Sequence, residues 1–134
     1  MPTELIMTTE LTMLFYSTIL AFVLVLIPAT MAIIENGVMT QAGPRDDLPE
    51  PSVFRKRANR LVANMYENLL LFAIVVLIAF AAGVSNETTV LGAQIFFYAR
   101  VAHAVIYLAG WPMIRPLAWA AGVAGIVMVA YQLC

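Results

Sequence analysis

The chain has 134 residues, of which 63% are hydrophobic and 11% are charged, and its formal net charge is −1. A soluble domain carries about 25% charged residues, and a chain of this size cannot bury so much apolar surface. A membrane protein is therefore predicted, and the lack of a basic face argues against a nucleic-acid partner. The single cysteine cannot form an internal disulfide, and the sequence holds no metal-ligand spacing, so no metal is expected.

Four apolar segments follow one another along the chain, each close to the ~20 residues that a helix needs to cross a bilayer. They run from about 11 to 34, 61 to 83, 90 to 109 and 117 to 133. The connection 35–60 is rich in Gly and Pro, and Ser52 within it is a suitable N-cap from which the second helix would begin. The pattern predicts an all-α integral membrane protein, with residues 1–134 forming one four-helix transmembrane bundle.

The basic residues predict the orientation of these segments. Of the seven lysines and arginines, five lie in the connection 35–60 and one, Arg115, lies between the third and fourth segments. The seventh, Arg100, lies inside the third segment. By the positive-inside rule the two basic loops are cytosolic, which places both termini outside.

Polar side chains form one stripe on each of the two middle segments. Their spacings, i, i+4, i+7 and i, i+3, i+7, each describe one face of a helix. They are Arg60, Asn64 and Glu67 on the second segment and Arg100, His103 and Tyr107 on the third. Ionisable groups inside a bilayer cost about 3 kcal/mol each on insertion scales, so they persist where they pair or face a cavity.

The depths of the two stripes predict a buried ion pair. At 1.5 Å per residue, Glu67 lies ~10 Å along its helix from Arg60, and Arg100 lies ~15 Å from the cytosolic end of the third segment. Glu67 and Arg100 are therefore expected to pair as a structural element. The stripes stop about halfway across, which favours a pocket that opens to the cytosol and suits a small anionic ligand.

Two other interpretations of the stripes stay open. Buried polar groups can simply hold helices in register, with no ligand. A proton or ion path is also conceivable, but no polar residue in the first or fourth segment continues the stripes outward.

Two stretches resemble the signatures of the family of membrane-associated proteins in eicosanoid and glutathione metabolism. One is RANRLVANMYE over 57–67 and the other is ARVAHAVIY over 99–107. The four-segment plan and the long first cytosolic loop also resemble the family. Its members include microsomal glutathione transferases and many bacterial proteins, and its eicosanoid-producing members carry an arginine at the end of the first helix. Glu35 and Asn36 stand there instead, which argues against a leukotriene or prostaglandin synthase.

The resemblance implies a homotrimer with glutathione as co-substrate in a cleft between subunits near the cytosolic face. By the same resemblance Arg115 is the catalytic thiol activator, and the glutathione-binding residues are Arg60, Asn64, Glu67, His103 and Tyr107. The implied activity is a glutathione-dependent transferase or peroxidase that acts on apolar electrophiles among the lipids of a bacterial inner membrane. The alternative is a non-catalytic family member that binds a lipid or a partner and has a degenerate thiol site.

Overall fold

The computed structural model describes residues 7–134. The regular secondary structure in this part of the chain is all helical, which confirms the all-α prediction. Five helices follow in chain order: α1, Thr9–Asn36; α2, Val38–Ala42; α3, Val53–Ala81; α4, Glu87–Ala109; and α5, Arg115–Tyr131. Short α2 lies in the connection between the first two long helices. The four long helices pack against one another, and each contacts at least two of the others.

Local signals fix the helix ends. The hydroxyl of Ser52 accepts a hydrogen bond from the backbone N–H of Arg55 at 3.2 Å, so α3 begins where the N-cap predicted it. The side chain of Asn86 accepts from the backbone N–H of Thr89, while the Thr89 hydroxyl accepts from the Asn86 N–H, which forms a capping box at the start of α4. Gly110 ends α4 with a φ of 73°, a left-handed conformation that favours glycine.

Three helices have the length and composition to cross a bilayer. These are α1, α3 and α4, with 28, 29 and 23 residues. Helix α5 is apolar but has only 17 residues, the lower limit for a crossing helix. The structure thus supports three of the four predicted crossings by length, and the fourth depends on this shorter helix.

The core between the helices is built around two stacked aromatic rings. The ring centroids of Phe72 on α3 and Phe96 on α4 lie 4.0 Å apart, and both side chains are completely buried. Met13 on α1 and Ile126 on α5 complete this cluster, so every long helix contributes to it. Many large apolar side chains remain exposed, Phe22 at 62% among them, as expected of a surface that faces lipid or another subunit.

Helices α4 and α5 approach each other backbone to backbone. A Cβ atom added at Gly125 would lie 2.5 Å from the carbonyl oxygen of Gly92 and 2.8 Å from the backbone nitrogen of Phe96. Only glycine fits at such a distance. The contact fixes the separation of the two helices and so sets how the start of α5 faces the end of α4.

A clasp of polar groups closes the long connection. The carboxylate of Glu35, near the end of α1, accepts hydrogen bonds from the backbone N–H of Ser52 at 3.1 Å and from its hydroxyl at 2.7 Å. The guanidinium of Arg55, which is buried, lies 3.5 Å from the same carboxylate. The clasp joins the end of α1 to the start of α3 and thereby positions the polar stripe that follows on α3.

Candidate functional site

The polar stripes of α3 and α4 meet through two hydrogen bonds. The Nη2 of Arg100 donates to the Oδ1 of Asn64 at 2.8 Å. Nearer the loop end, the Nε of Arg60 donates to the hydroxyl of Tyr107 at 3.2 Å. The predicted faces therefore do turn toward each other, and the chain brings them together without help from a second subunit.

An open hollow of about 360 Å³ lies beside these contacts. Three long helices contribute to its lining: Asn64 from α3, His103 and Tyr107 from α4, and Arg115, Pro116 and Trp119 from α5. Four of these six were singled out from the sequence. The volume lies at the low end of the ~300–1,000 Å³ usual for small-molecule sites.

Tyr107 is the centre of the hollow's polar wall. The guanidinium carbon of Arg115 lies 4.9 Å from the centroid of its ring, which is the geometry of a cation–π contact. The ring of His103 lies 5.4 Å away, centroid to centroid. Arg60 donates a hydrogen bond to the hydroxyl of the same tyrosine. The side chain of Tyr107 therefore lies next to two arginines and a histidine.

Buried donors of the site lack partners in the described part of the chain. Arg100 is 1% exposed and His103 is 2% exposed. Within residues 7–134, the Nε and Nη1 of Arg100 and the Nδ1 of His103 make no hydrogen bond. A buried polar atom without a partner costs about 1–3 kcal/mol, so these nitrogens remain available to donors or acceptors beyond the described residues.

The electrostatics of this end of the bundle are positive. The guanidinium of Arg57 packs against Gly110: a Cβ added at Gly110 would lie 2.7 Å from the Cζ of Arg57. Arg57 is therefore a further arginine near the hollow. Within residues 7–134 the ion pairs are those of Glu35 with Arg55 and of Glu50 with Lys56. The arginines near the hollow are therefore not neutralised by carboxylates of the described chain, and the hollow suits an anion.

The start of α5 adds to this preference. Ile114 caps the helix without a side-chain hydrogen bond, and Pro116 stands in the first turn. Backbone N–H groups at a helix N-terminus favour anions. The helix begins at Arg115, so its positive end and the guanidinium lie at the same edge of the hollow.

The predicted ion pair between Glu67 and Arg100 is not formed within the described chain. Glu67 is exposed and lies outside the lining of the hollow, whereas Arg100 bonds to Asn64 one turn earlier on α3. Asn68, adjacent to Glu67, is the residue that turns inward, where its amide donates to the backbone oxygen of Asn64 at 2.8 Å. Asn64 thus occupies the position at which the carboxylate was expected.

Sequence reasoning missed one wall of the hollow. The polar stripes did not include Trp119, yet it lines the site together with Pro116. The signal that could have identified it is its spacing. Trp119 stands four residues after Arg115 and therefore on the same face of α5.

The fold and the site together define an integral membrane helical bundle with a polar hollow at one end, lined by Arg115 and with further arginines nearby. The sequence profile of the MAPEG family, the membrane-associated proteins in eicosanoid and glutathione metabolism, matches residues 13–134. The chain belongs to that family. A comparison with curated proteins and one with solved structures found no match.

Proposed function

We propose that the protein is a glutathione-dependent transferase or peroxidase that acts on apolar electrophiles at the membrane. The observation that carries the proposal is the hollow in which Asn64, His103, Tyr107 and Arg115 converge from three helices. Membership of the MAPEG family supports it, because that family is known for glutathione-related activity in general.

The residues of the hollow fit the chemistry of glutathione. Glutathione presents carboxylates and peptide groups, which call for cationic and neutral donors. Arg60 offers a guanidinium held by Tyr107, and His103 brings a buried ring nitrogen without a partner in the described chain. Asn64 has an amide facing the hollow. In the proposal these side chains hold the peptide.

Arg115 is the proposed activator of the thiol. A free thiol has a pKa near 8.5, and only the thiolate is a good nucleophile. A guanidinium stays charged at any working pH and favours the anionic sulfur beside it. The contact of Arg115 with the ring of Tyr107 restrains the guanidinium at the edge of the hollow, so its charge is placed before the thiol arrives.

The proposal includes a homotrimer in which a neighbouring subunit completes each site. The hollow of one chain is open, and Glu67 is exposed on α3. In a trimer Glu67 would face the cleft between subunits, where a carboxylate could hold the ammonium group of the peptide. In this arrangement apolar substrates reach the thiolate from the lipid, past Trp119 and Pro116. The proposal places the protein in the inner membrane of a bacterium, with both termini of the chain outside.

The test measures whether the protein converts bound glutathione to its thiolate. Purified protein with saturating glutathione should show ultraviolet thiolate absorbance and should conjugate a generic aryl halide. Replacing Arg115 by alanine should lower turnover by about tenfold or more, with a much smaller effect on the KM for glutathione, since the lost interaction favours the anion. Arg45→Ala is the matched control, because it removes one exposed arginine from the connecting loop and should leave turnover unchanged.

Wild-type protein without thiolate absorbance or conjugation at saturating glutathione would reject the proposal. An Arg115→Ala variant that turns over like Arg45→Ala would remove Arg115 from the mechanism.

A non-catalytic lipid-binding protein is the second candidate, and one observation favours it. A groove of about 330 Å³ on α1 and α4 is lined only by apolar or aromatic side chains: Tyr16, Ile19, Leu20, Val23 and Phe97. If this function is correct, a lipid should co-purify with the protein and glutathione should produce no thiolate signal.

A further inference from the structure

A second hollow, at the opposite end of the bundle from the arginines, contains a buried carboxylate. Glu10, in the first turn of α1, is 3% exposed and lines a hollow of about 210 Å³. The hollow lies where α1 begins and α3 ends. Its other lining residues are Thr8, Val76, Ala79, Phe80, Gly83, Val84 and Ser85.

Only half of this carboxylate is satisfied by the described chain. Its Oε2 lies 2.6 Å from the hydroxyl oxygen of Thr89, which is fully buried. That hydroxyl has one hydrogen, and it also lies 3.0 Å from the backbone oxygen of Asn86. The other oxygen, Oε1, is buried and has no hydrogen-bond partner among residues 7–134. An acceptor left in this state calls for a donor from outside the described residues.

The surroundings of Glu10 favour a cation. The start of α1 stabilises the ionised carboxylate, because the N-terminal end of a helix carries positive partial charge. The last residues of α3 line the same hollow, and a helix C-terminus attracts cations, yet the last turn of α3 has no basic residue. Every lysine and arginine of the sequence lies between 45 and 60 or at 100 and 115, toward the other end.

The lining restricts the kind of cation. Calcium takes six to eight oxygen ligands, whereas the described residues contain no group of three acidic, histidine or cysteine side chains that could hold a metal ion. The wall consists mainly of Val76, Ala79, Phe80 and Val84, which are apolar. A single carboxylate oxygen at one end of an apolar hollow matches an ammonium group joined to an apolar body.

We propose that this hollow binds a primary ammonium group with an apolar body, and that the Oε1 of Glu10 accepts a hydrogen bond from it. A lipid with an ethanolamine head group and a free alkylamine share this chemistry. The site is separate from the hollow lined by Arg115 and does not depend on thiol chemistry.

The experiment compares n-hexylammonium with n-hexanol, which has the same apolar body without the charge, by calorimetric titration of the detergent-solubilised protein. Wild-type protein should bind n-hexylammonium saturably, and Glu10→Gln should weaken that binding by about tenfold or more, since the ionised acceptor is replaced by a neutral amide. Ser17→Ala is the matched control. Ser17 is buried on the same face of α1 and has no partner in the described chain, but it does not line the hollow.

A second variant covers the case in which Glu10→Gln fails to fold. Ser85 is exposed at the mouth of the hollow, so Ser85→Trp should fill it and abolish n-hexylammonium binding while Glu10 stays in place. Equal n-hexylammonium binding by Glu10→Gln and wild type would overturn the proposal. So would wild-type protein that binds n-hexanol as tightly as the amine, or that binds neither saturably below about 10 mM.

Native mass spectrometry then separates the two sources of the ammonium group. Protein taken from nanodiscs of mixed phosphatidylethanolamine and phosphatidylcholine should retain the ethanolamine lipid if the head group is the ligand, and Glu10→Gln should lose that preference. Saturable n-hexylammonium binding without lipid retention assigns the site to free amines. Either result supports an ammonium site.

Discussion

The close contact between α4 and α5 gives a sharp prediction, because two glycines of α5 should respond to the same substitution in opposite ways. At Gly125 an added Cβ would lie 2.5 Å from a backbone oxygen of α4, 0.9 Å short of the 3.4 Å at which ordinary van der Waals contact begins. At Gly122, one turn earlier, an added Cβ would lie 3.4 Å from the Cδ of Arg100, which is an ordinary contact.

The magnitudes follow from two opposing terms. Overpacking a close contact costs about 1–3 kcal/mol, and alanine is favoured over glycine inside a helix by about 1 kcal/mol. Backbone atoms of α4 cannot rotate away as a side chain can, so the overpacking cost applies in full at Gly125. We expect Gly125→Ala to lower the free energy of unfolding by about 1–2 kcal/mol and Gly122→Ala to raise it by up to about 1 kcal/mol.

The assay is reversible unfolding in mixed micelles with increasing dodecyl sulfate, followed by far-ultraviolet circular dichroism. The two variants should differ in their free energies of unfolding by about 1–3 kcal/mol, a shift of about fivefold or more in the folded-to-unfolded ratio. If Gly125→Ala is as stable as Gly122→Ala, the two helices do not approach as described and the reasoning is wrong.

Two further predictions concern hydrogen bonds near the site. Asn64→Ala should lower the free energy of unfolding by about 1.5–3 kcal/mol, because the substitution removes the acceptor of the buried Arg100 guanidinium. Asn64→Asp should restore the stability. An unchanged denaturation midpoint for the alanine variant would contradict this prediction. Ser52→Ala should lower the free energy of unfolding by about 0.5–2 kcal/mol and accelerate amide hydrogen exchange in the first turn of α3, because the cap and the hydroxyl contact of the clasp are lost together. Exchange at the wild-type rate would show that the cap does not hold that turn.

Features carried by neighbouring residues could be predicted from the sequence. Ser52 and Asn86 are residue types that favour the N-cap position, and each caps a helix in the structure. The spacing of Asn64 with Arg60, and of His103 with Tyr107, placed these side chains on shared faces, and the structure brings all four to one end of the bundle. Such predictions succeed because helix periodicity and capping depend on local chemistry.

Features that depend on how helices rotate against each other could not be predicted in this way. Glu67 shares a broad face with Asn64, but only about 100° of rotation separates it from Asn68, and the packing of α3 turned Asn68 inward. Glu10 gave no sign of burial either, because a carboxylate in a first helical turn is usually solvated. Its burial arises from Thr89, which is 79 residues away in sequence.

The size of the side chains between α4 and α5 explains why a hollow forms at one end of this helix pair. Toward the end of α5, Gly125 brings the two backbones into contact, and one turn earlier Gly122 faces the aliphatic part of Arg100. At the start of α5, Arg115 and Trp119 line the hollow beside the end of α4. The gradient from glycine to large polar and aromatic side chains holds the helices together at one end and leaves room for a ligand at the other. This arrangement places the least compressible contact of the bundle more than two helical turns from Arg115, so a variant such as Gly125→Ala should perturb stability before it perturbs the hollow.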